Sequence, residues 1–267
     1  MSIARKILQF IRNLPPIKAR RLATYRQKFF AKGSRWPRFH GLFASRADAE
    51  TYASAQSELV GYDHSEIATV SMEAMSEAWT SDFPVLFWMA KSLHSTRRLF
   101  DLGGHVGTKY RAWRSRLELP EAFVWTVCDL PELVEQGRRL SEDLPQLEFT
   151  TRFEDAEGSD VLLASGVLQY ADFDLKDLLE TLQRRPQHLL INKLPTHASP
   201  DQYTLENLHY SVVPYRVFDE KRFLQGIVSL GYELMDRWIV YESSVRVPFT
   251  TLGEPTHHGF YFRKIAR

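Results

Sequence analysis

At 267 residues and 44% hydrophobic content, the chain has length for one domain with an appendage and ample material for a core. Its single cysteine, Cys128, excludes an internal disulfide framework and any cysteine-rich metal site, and no apolar run approaches the roughly 20 residues needed to span a bilayer. The net charge of +1 conceals a division: residues 1–46 hold twelve of the 34 Lys and Arg and no acid, leaving 22 basic residues against 33 acidic ones in the rest.

In chain order, Ile3, Ile7, Leu8 and Ile11 fall at helical spacing among Arg5, Lys6 and Arg12, which predicts a helix over 2–13 that Pro15-Pro16 break. Met1 to Phe10 is too short for a secretory apolar region and lacks a cleavage pattern, so a cytoplasmic protein is expected. A second basic helix is predicted over 19–31, where Lys18, Arg20, Arg21, Arg26 and Lys28 alternate with Leu22, Tyr25, Phe29 and Phe30. Residues 1–32 therefore suit an anionic membrane surface, peripheral at its inner face, each cation adding about 1 kcal/mol. The alternative is a helical arm packed on the acidic body, its own or that of a second subunit in a homodimer. Nucleic acid is not expected, because no recognition fold accompanies the charge.

Residues 32–38 read as a linker. The division expected is a basic helical extension at 1–35, a helical cap segment at 36–96 and an α/β domain at 97–267. Within the cap, helices are predicted near 46–59, 64–79 and 83–94, with a turn at Gly61-Tyr62-Asp63. Trp79, Phe83, Phe87 and Trp88 are core residues or the wall of a pocket.

From residue 97 the pattern alternates. Strands are predicted near 97–101, 123–128, 147–152, 160–164, 187–192, 233–242 and 257–264, and helices near 108–118, 131–143, 174–185 and 217–230. This is an α/β pattern with a largely parallel sheet and helices on both faces. The last two strands have only a loop between them, so the final strand should run antiparallel.

The stretch with most functional information is 97–137. Leu99-Phe100 ends in Asp101, a turn carries Gly103, Gly104 and Gly107, a helix-compatible segment follows, and the next apolar run ends in Asp129. Strand, glycine turn, helix, strand and acid make up a nucleotide-type site at the carboxyl edge of a parallel sheet. The spacing Gly103-Gly104-x-x-Gly107 is not the Gly-x-Gly-x-x-Gly of dinucleotide sites, which argues against a nicotinamide enzyme. With Asp101 two residues ahead, the turn resembles motif I of class I S-adenosylmethionine methyltransferases, with His105 in the place of the middle glycine. Asp101-Leu102-Gly103-Gly104 and Asp129-Leu130-Pro131 resemble the paired motifs of small-molecule O-methyltransferases.

Residues from about 36 onward also resemble a bacterial methyltransferase family often linked to surface-polysaccharide loci. The similarity is carried by Phe39-His40-Gly41-Leu42-Phe43, Gly61-Tyr62-Asp63, residues 100–107, residues 163–170, residues 190–195 and Gly259-Phe260-Tyr261-Phe262-Arg263. The resemblance implies a Rossmann-like seven-stranded class I methyltransferase sheet with a helical N-terminal extension. It also implies S-adenosyl-L-methionine as cofactor and O-methylation of a small-molecule or glycan-linked acceptor. A catalytically silent relative that serves binding or assembly is the rival reading.

On that resemblance the cofactor would lie against Asp101, Gly103, Gly104, His105, Gly107, Asp129, Leu130, Thr151, Phe153, Ser165 and Gly166. Asp101 orients the methionine end, or it is a strand-end acid capping the turn. Asp129 holds the ribose hydroxyls, or it caps the helix that begins at Pro131. Thr151 or Arg152 with Phe153 would meet adenine. Ser165-Gly166 would face the methionine amine, and Leu168, Gln169 and Tyr170 would sit at the mouth. His105 packs on the cofactor or moves a proton. His209 is the candidate base on the acceptor side. Lys193, Tyr215 and Arg216 bind an acidic or sugar-like acceptor or form surface pairs. His257-His258 are expected at a solvated edge, and no residue cluster has metal-ligand spacing.

Overall fold

The structure, a computed structural model, describes residues 5, 10, 14–31, 33–34, 36–56, 77–209 and 211–265. Most of the helix predicted over 2–13, the turn at 61–63 and all but the end of the helix predicted over 64–79 lie outside the described residues.

In chain order the elements are α1 (Pro15–Phe29), β1 (Phe39–Phe43), α2 (Arg46–Ser54), α3 (Phe83–Ser92), β2 (Arg98–Leu102), α4 (Thr108–Trp113), β3 (Val124–Cys128) and α5 (Pro131–Arg139). They continue with β4 (Leu147–Thr150), β5 (Val161–Ser165), α6 (Leu175–Thr181), β6 (His188–His197), β7 (Gln202–Asn207), β8 (Val212–Asp219), α7 (Glu220–Ser229), β9 (Tyr232–Val240) and β10 (Thr256–Lys264). Short 3-10 turns occupy Thr80–Asp82 and Phe153–Ala156. Local chemistry sets several starts. α1 opens on the two prolines themselves, whose missing N–H costs nothing in a first helical turn. Ser45 caps α2 by accepting the Asp48 N–H at 3.1 Å, and Asp219 caps α7 by accepting that of Arg222 at 3.1 Å.

The chain divides into two compact units. The first comprises residues 1–62, 203–215 and 246–253. In it β1 pairs antiparallel with β7, Phe39 opposite Glu206 and His40 opposite Leu205. Its core is Phe29, Ala49, Ala53, Leu205 and Val212. The Tyr25 hydroxyl donates to the Phe39 carbonyl at 2.7 Å, and the Asn207 amide donates to the Phe29 carbonyl at 2.8 Å.

The second unit comprises residues 63–202, 216–245 and 254–267. Its seven strands run in the order β4-β3-β2-β5-β6-β10-β9; the first five are parallel and β10 is antiparallel to both β6 and β9. All seven strands expected after residue 97 are here. Successive residues face opposite sides: Leu99, Trp125, Val127 and Leu163 join one core, and Phe100, Cys128, Leu162 and Ala164 join the other. The alternation fits a sheet covered on both faces.

Three strands were not expected. β1 falls in the segment read as helical, while β7 and β8 occupy what read as a loop and the start of a helix. Another difference concerns His257 and His258, which are buried because β10 is an inner strand; His258 meets the Thr196 hydroxyl at 2.8 Å and Arg237 at 2.9 Å.

Candidate functional site

Parallel register aligns the ends of β2, β3 and β5 with the middle of β6 at one edge of the second unit. Leu102 pairs with Cys128 on one side and Ala164 on the other, and Ser165 pairs with Asn192. Chain order reverses between β3 and β5 on either side of β2, so the turn after β2 lies where open α/β sheets hold ligands.

That turn is built tightly. Gly103 and Gly107 both have positive φ, 69° and 81°, a region open to glycine at little cost. The Gly103 N–H donates to the Cys128 carbonyl at 2.8 Å. A side chain at Gly103 would run into Val167, and one at Gly104 would meet the Asp101 carboxylate 2.5 Å away. These two glycines therefore let the turn lie on the protein's own side chains.

Asp101 is 1% exposed, shares the Leu99 face, and accepts the Trp125 indole N–H at 3.0 Å. Burial pushes its carboxyl up to about 7, with Asp129 adding to the rise, against the opposing Trp125 hydrogen bond and Lys109 charge.

Asp129 points at the turn. Its Oδ2 accepts the His105 N–H at 2.7 Å and its Oδ1 accepts the Leu130 N–H at 2.8 Å. The residue flanking α5 is Leu130, with no side-chain cap, so of the two roles open to Asp129 the helix cap is not the one adopted. Burial raises its pKa and the two N–H groups pull it back. Each oxygen keeps acceptor capacity, and the side chain is half-buried.

His105 is 5% exposed at φ 57°, and both ring nitrogens are buried with no hydrogen-bond partner. Burial pushes its pKa down to about 4, so the imidazole is neutral at physiological pH. Two orphaned nitrogens in one side chain are costly, about 1–3 kcal/mol each.

The remaining expected residues divide. Ser165 ends β5 and Gly166 follows it at the same edge, where the Gly166 N–H donates to the Asn192 carbonyl at 2.9 Å and the Ser165 hydroxyl is buried without a partner. Gln169 donates to the Gly166 carbonyl at 3.0 Å. Thr151 and Arg152 are exposed, whereas Phe153 packs edge-on against Phe100 in the second core. Arg216 is an internal residue, paired with Asp174 at 2.6 Å and Asp201 at 2.5 Å. His209 belongs to the first unit, at φ 77°, its N–H bonded to Asn207 at 2.7 Å.

One group was missed. Asp82, 0% exposed, receives the Lys109 ammonium at 2.8 and 3.1 Å, with Lys193 at 3.6 Å and the Asn192 amide at 3.4 Å. In sequence Asp82 is an acid before a helix. Only the fold brings it to lysines 27 and 111 positions away. Among the described residues no group of three or more His, Cys, Asp or Glu is placed to hold a metal ion.

The strand order, with its antiparallel member inserted next to last, is that of the Rossmann-like class I methyltransferase fold. A SAM-dependent methyltransferase from Methanosarcina mazei shares it, with a TM-score of 0.50 and 9% identity over 72% of this chain and 100% of that one. Two other similar structures are the N-terminal domain of EvdMO1 with SAH bound (TM-score 0.47, 13% identity, 84% and 98% covered) and the Burkholderia thailandensis 1,6-didemethyltoxoflavin-N1-methyltransferase, with bound 1,6-didemethyltoxoflavin and S-adenosylhomocysteine (0.46, 18%, 74% and 85%). No protein-family model and no curated protein matches the chain.

Proposed function

We propose that the protein is an S-adenosylmethionine-dependent methyltransferase that O-methylates a small-molecule or glycan-linked acceptor. The observation that carries this reading is Asp129, whose carboxylate is fixed on the glycine turn by the His105 and Leu130 N–H groups. An acceptor-only group of fixed direction at that edge fits a ribose diol. The buried, unpartnered Ser165 hydroxyl beside Gly166 is a second polar atom suited to the methionine end. Asp101 supports the turn from beneath, and this is the part it plays in binding. The cofactor, when bound, supplies an electrophilic methyl group; the chain's task is to hold the acceptor oxygen in line and exclude water. Calorimetry with S-adenosylhomocysteine on the purified protein tests the reading: binding that is lost in Asp129→Ala supports it, and absence of heat and of thermal shift at millimolar ligand overturns it.

One observation favours a second reading. His105 stands in the glycine turn with its imidazole buried, and a side chain at that position takes room that glycine would leave open. A catalytically silent relative would show no binding until that ring is removed.

The basic segment is proposed to meet an anionic membrane from the cytoplasmic side. In α1, Lys18, Arg20, Arg21, Arg26 and Lys28 sit on a helix with no acid in its first turn, and among the described residues no helix is long and apolar enough to cross a membrane. Sedimentation with phosphatidylserine vesicles, with and without residues 1–32, tests this; equal pelleting removes it.

A further inference from the structure

Strand β6 breaks its own regularity beside the proposed site. Opposite β10, the register slips between His258 and Phe260, so that Asn192 and Lys193 together face Gly259. This is a β-bulge, and Lys193 sits in it at φ 58°, a left-handed conformation that a side-chain-bearing residue holds at a cost of about 1–3 kcal/mol. The consequence is directional. In a regular strand neighbouring side chains point to opposite faces, yet Asn192 and Lys193 both reach Asp82, at 3.4 and 3.6 Å. The Lys193 stem then runs past Gly166, 3.8 Å from where its Cβ would be. The ammonium lies 5.8 Å from the ring centre of Trp79, which is 45% exposed.

Two lysine side chains share one carboxylate here. Lys109 takes both Asp82 oxygens and its side chain is 8% exposed; Lys193 is the outer partner, 23% exposed. Among the described residues, the charged groups facing Lys193 are Asp82, from the turn before α3, and Lys109, from α4. We infer that Lys193, whose stem passes Gly166 just beyond the end of β5, is the catalytic base for a neutral hydroxyl acceptor. This rests on the methyltransferase reading and goes beyond it by naming the proton acceptor and the acceptor class. Burial and the neighbouring Lys109 charge both lower the Lys193 pKa, and Asp82 only partly restores it. A lysine beside a second cation is a recognised way to keep an amine neutral and reactive.

In the step, the neutral Lys193 Nζ takes the acceptor's hydroxyl proton. The oxygen's electron pair forms the new O–C bond to the methyl group, whose bond to sulfur breaks with the pair left on sulfur. The ammonium returns its proton to solvent through its exposed face. The Trp79 ring beside it suits an acceptor whose hydroxyl is carried on a flat or sugar ring.

The test needs no turnover. Reductive methylation with 13C-formaldehyde gives each lysine an NMR signal, and Lys193→Arg assigns the one of interest. The expected result is a Lys193 titration below that of the exposed lysines, moving upward in Lys109→Gln, where Asp82 is left to Lys193 alone. A Lys193 signal that titrates with the exposed lysines, or that ignores Lys109→Gln, overturns the inference. A second arm uses p-nitrophenol with the S-adenosylhomocysteine-loaded protein below the phenol's own pKa: a phenolate band near 400 nm that vanishes in Lys193→Met supports the base, and no band, or one that persists, overturns it. Calorimetry separates the two levels. Cofactor binding with an ordinary Lys193 sinks only the base, whereas a shifted Lys193 without cofactor binding sinks the methyltransferase reading.

Discussion

The backbone N–H of His105 donates to Asp129 Oδ2 at 2.7 Å, so the acid closing β3 is fastened to the turn closing β2. The parallel register, Leu102 beside Cys128, places the two ends side by side, and the Leu130 N–H at 2.8 Å holds the other oxygen. The turn and the acid are therefore one unit, and moving either moves both.

Asp129→Ala should loosen that unit and remove the diol acceptor together. Two N–H donors lose their acceptor, a cost of about 1–3 kcal/mol where water cannot replace it. Affinity for S-adenosylhomocysteine should fall at least about tenfold, equivalent to about 1.4 kcal/mol. Asp129→Asn keeps one accepting oxygen but turns an NH2 toward the other donor, so it should fall between wild type and alanine. Titration calorimetry beside a urea melt separates lost affinity from lost fold.

Much of this architecture was legible because it is local. Short apolar runs ending at Asp101, Asp129 and Ser165, with helices between, identify a parallel sheet, and glycine spacing marks the turn. What escaped was long-range. Phe39 pairs with Glu206 across most of the chain, and neither segment has a turn or period that advertises the other. The strand predicted near 187–192 runs on through Pro195 to His197. The Asp82 cluster was invisible for the same reason, since its members lie on α4, a bulge and the turn before α3. Lys193 was readable as a cation for an acidic or sugar-like acceptor or as a surface pair; the bulge that aims it depends on pairing with β10.

His105→Gly should relieve two problems. A residue other than glycine at φ 57° carries backbone strain, of order 1 kcal/mol, and the imidazole buries two unpartnered nitrogens. The variant should bind S-adenosylhomocysteine more tightly than wild type. Glycine's greater freedom when unfolded offsets part of the stability gain, so the melting temperature should change less than the affinity. Equal affinity by calorimetry would show that the ring lies clear of the ligand.

Two buried groups should pull stability in opposite directions with pH. Asp101 titrates near 7 in the folded chain against an ordinary 3.8, so between those values the native state holds the extra proton and stability falls as pH rises. His105 titrates near 4 against an ordinary 6.5, so there the unfolded state holds the extra proton and stability falls as pH falls. Each contributes at most about 1.4 kcal/mol per pH unit within its window. Asp101→Asn, whose amide oxygen can still accept the Trp125 N–H, should steepen the acid-side loss between pH 7 and 4.5. His105→Gly should flatten it. Urea midpoints at the two pH values check both signs.

Asp82→Asn should be the most damaging single change at this edge. It leaves Lys109 and Lys193 facing each other without the carboxylate, and breaking a buried pair costs about 3–5 kcal/mol. The asparagine can still accept the Trp79 N–H that Asp82 Oδ2 takes at 3.1 Å, so the loss isolates charge from hydrogen bonding at that turn. Adding Lys109→Met to Asp82→Asn removes the more buried ammonium, and about half of the lost stability should return. A double-mutant cycle on urea midpoints measures the coupling. If the two changes were instead additive, the pair would be indifferent to its own burial, contrary to an Asp82 that is 0% exposed and a Lys109 side chain that is 8% exposed.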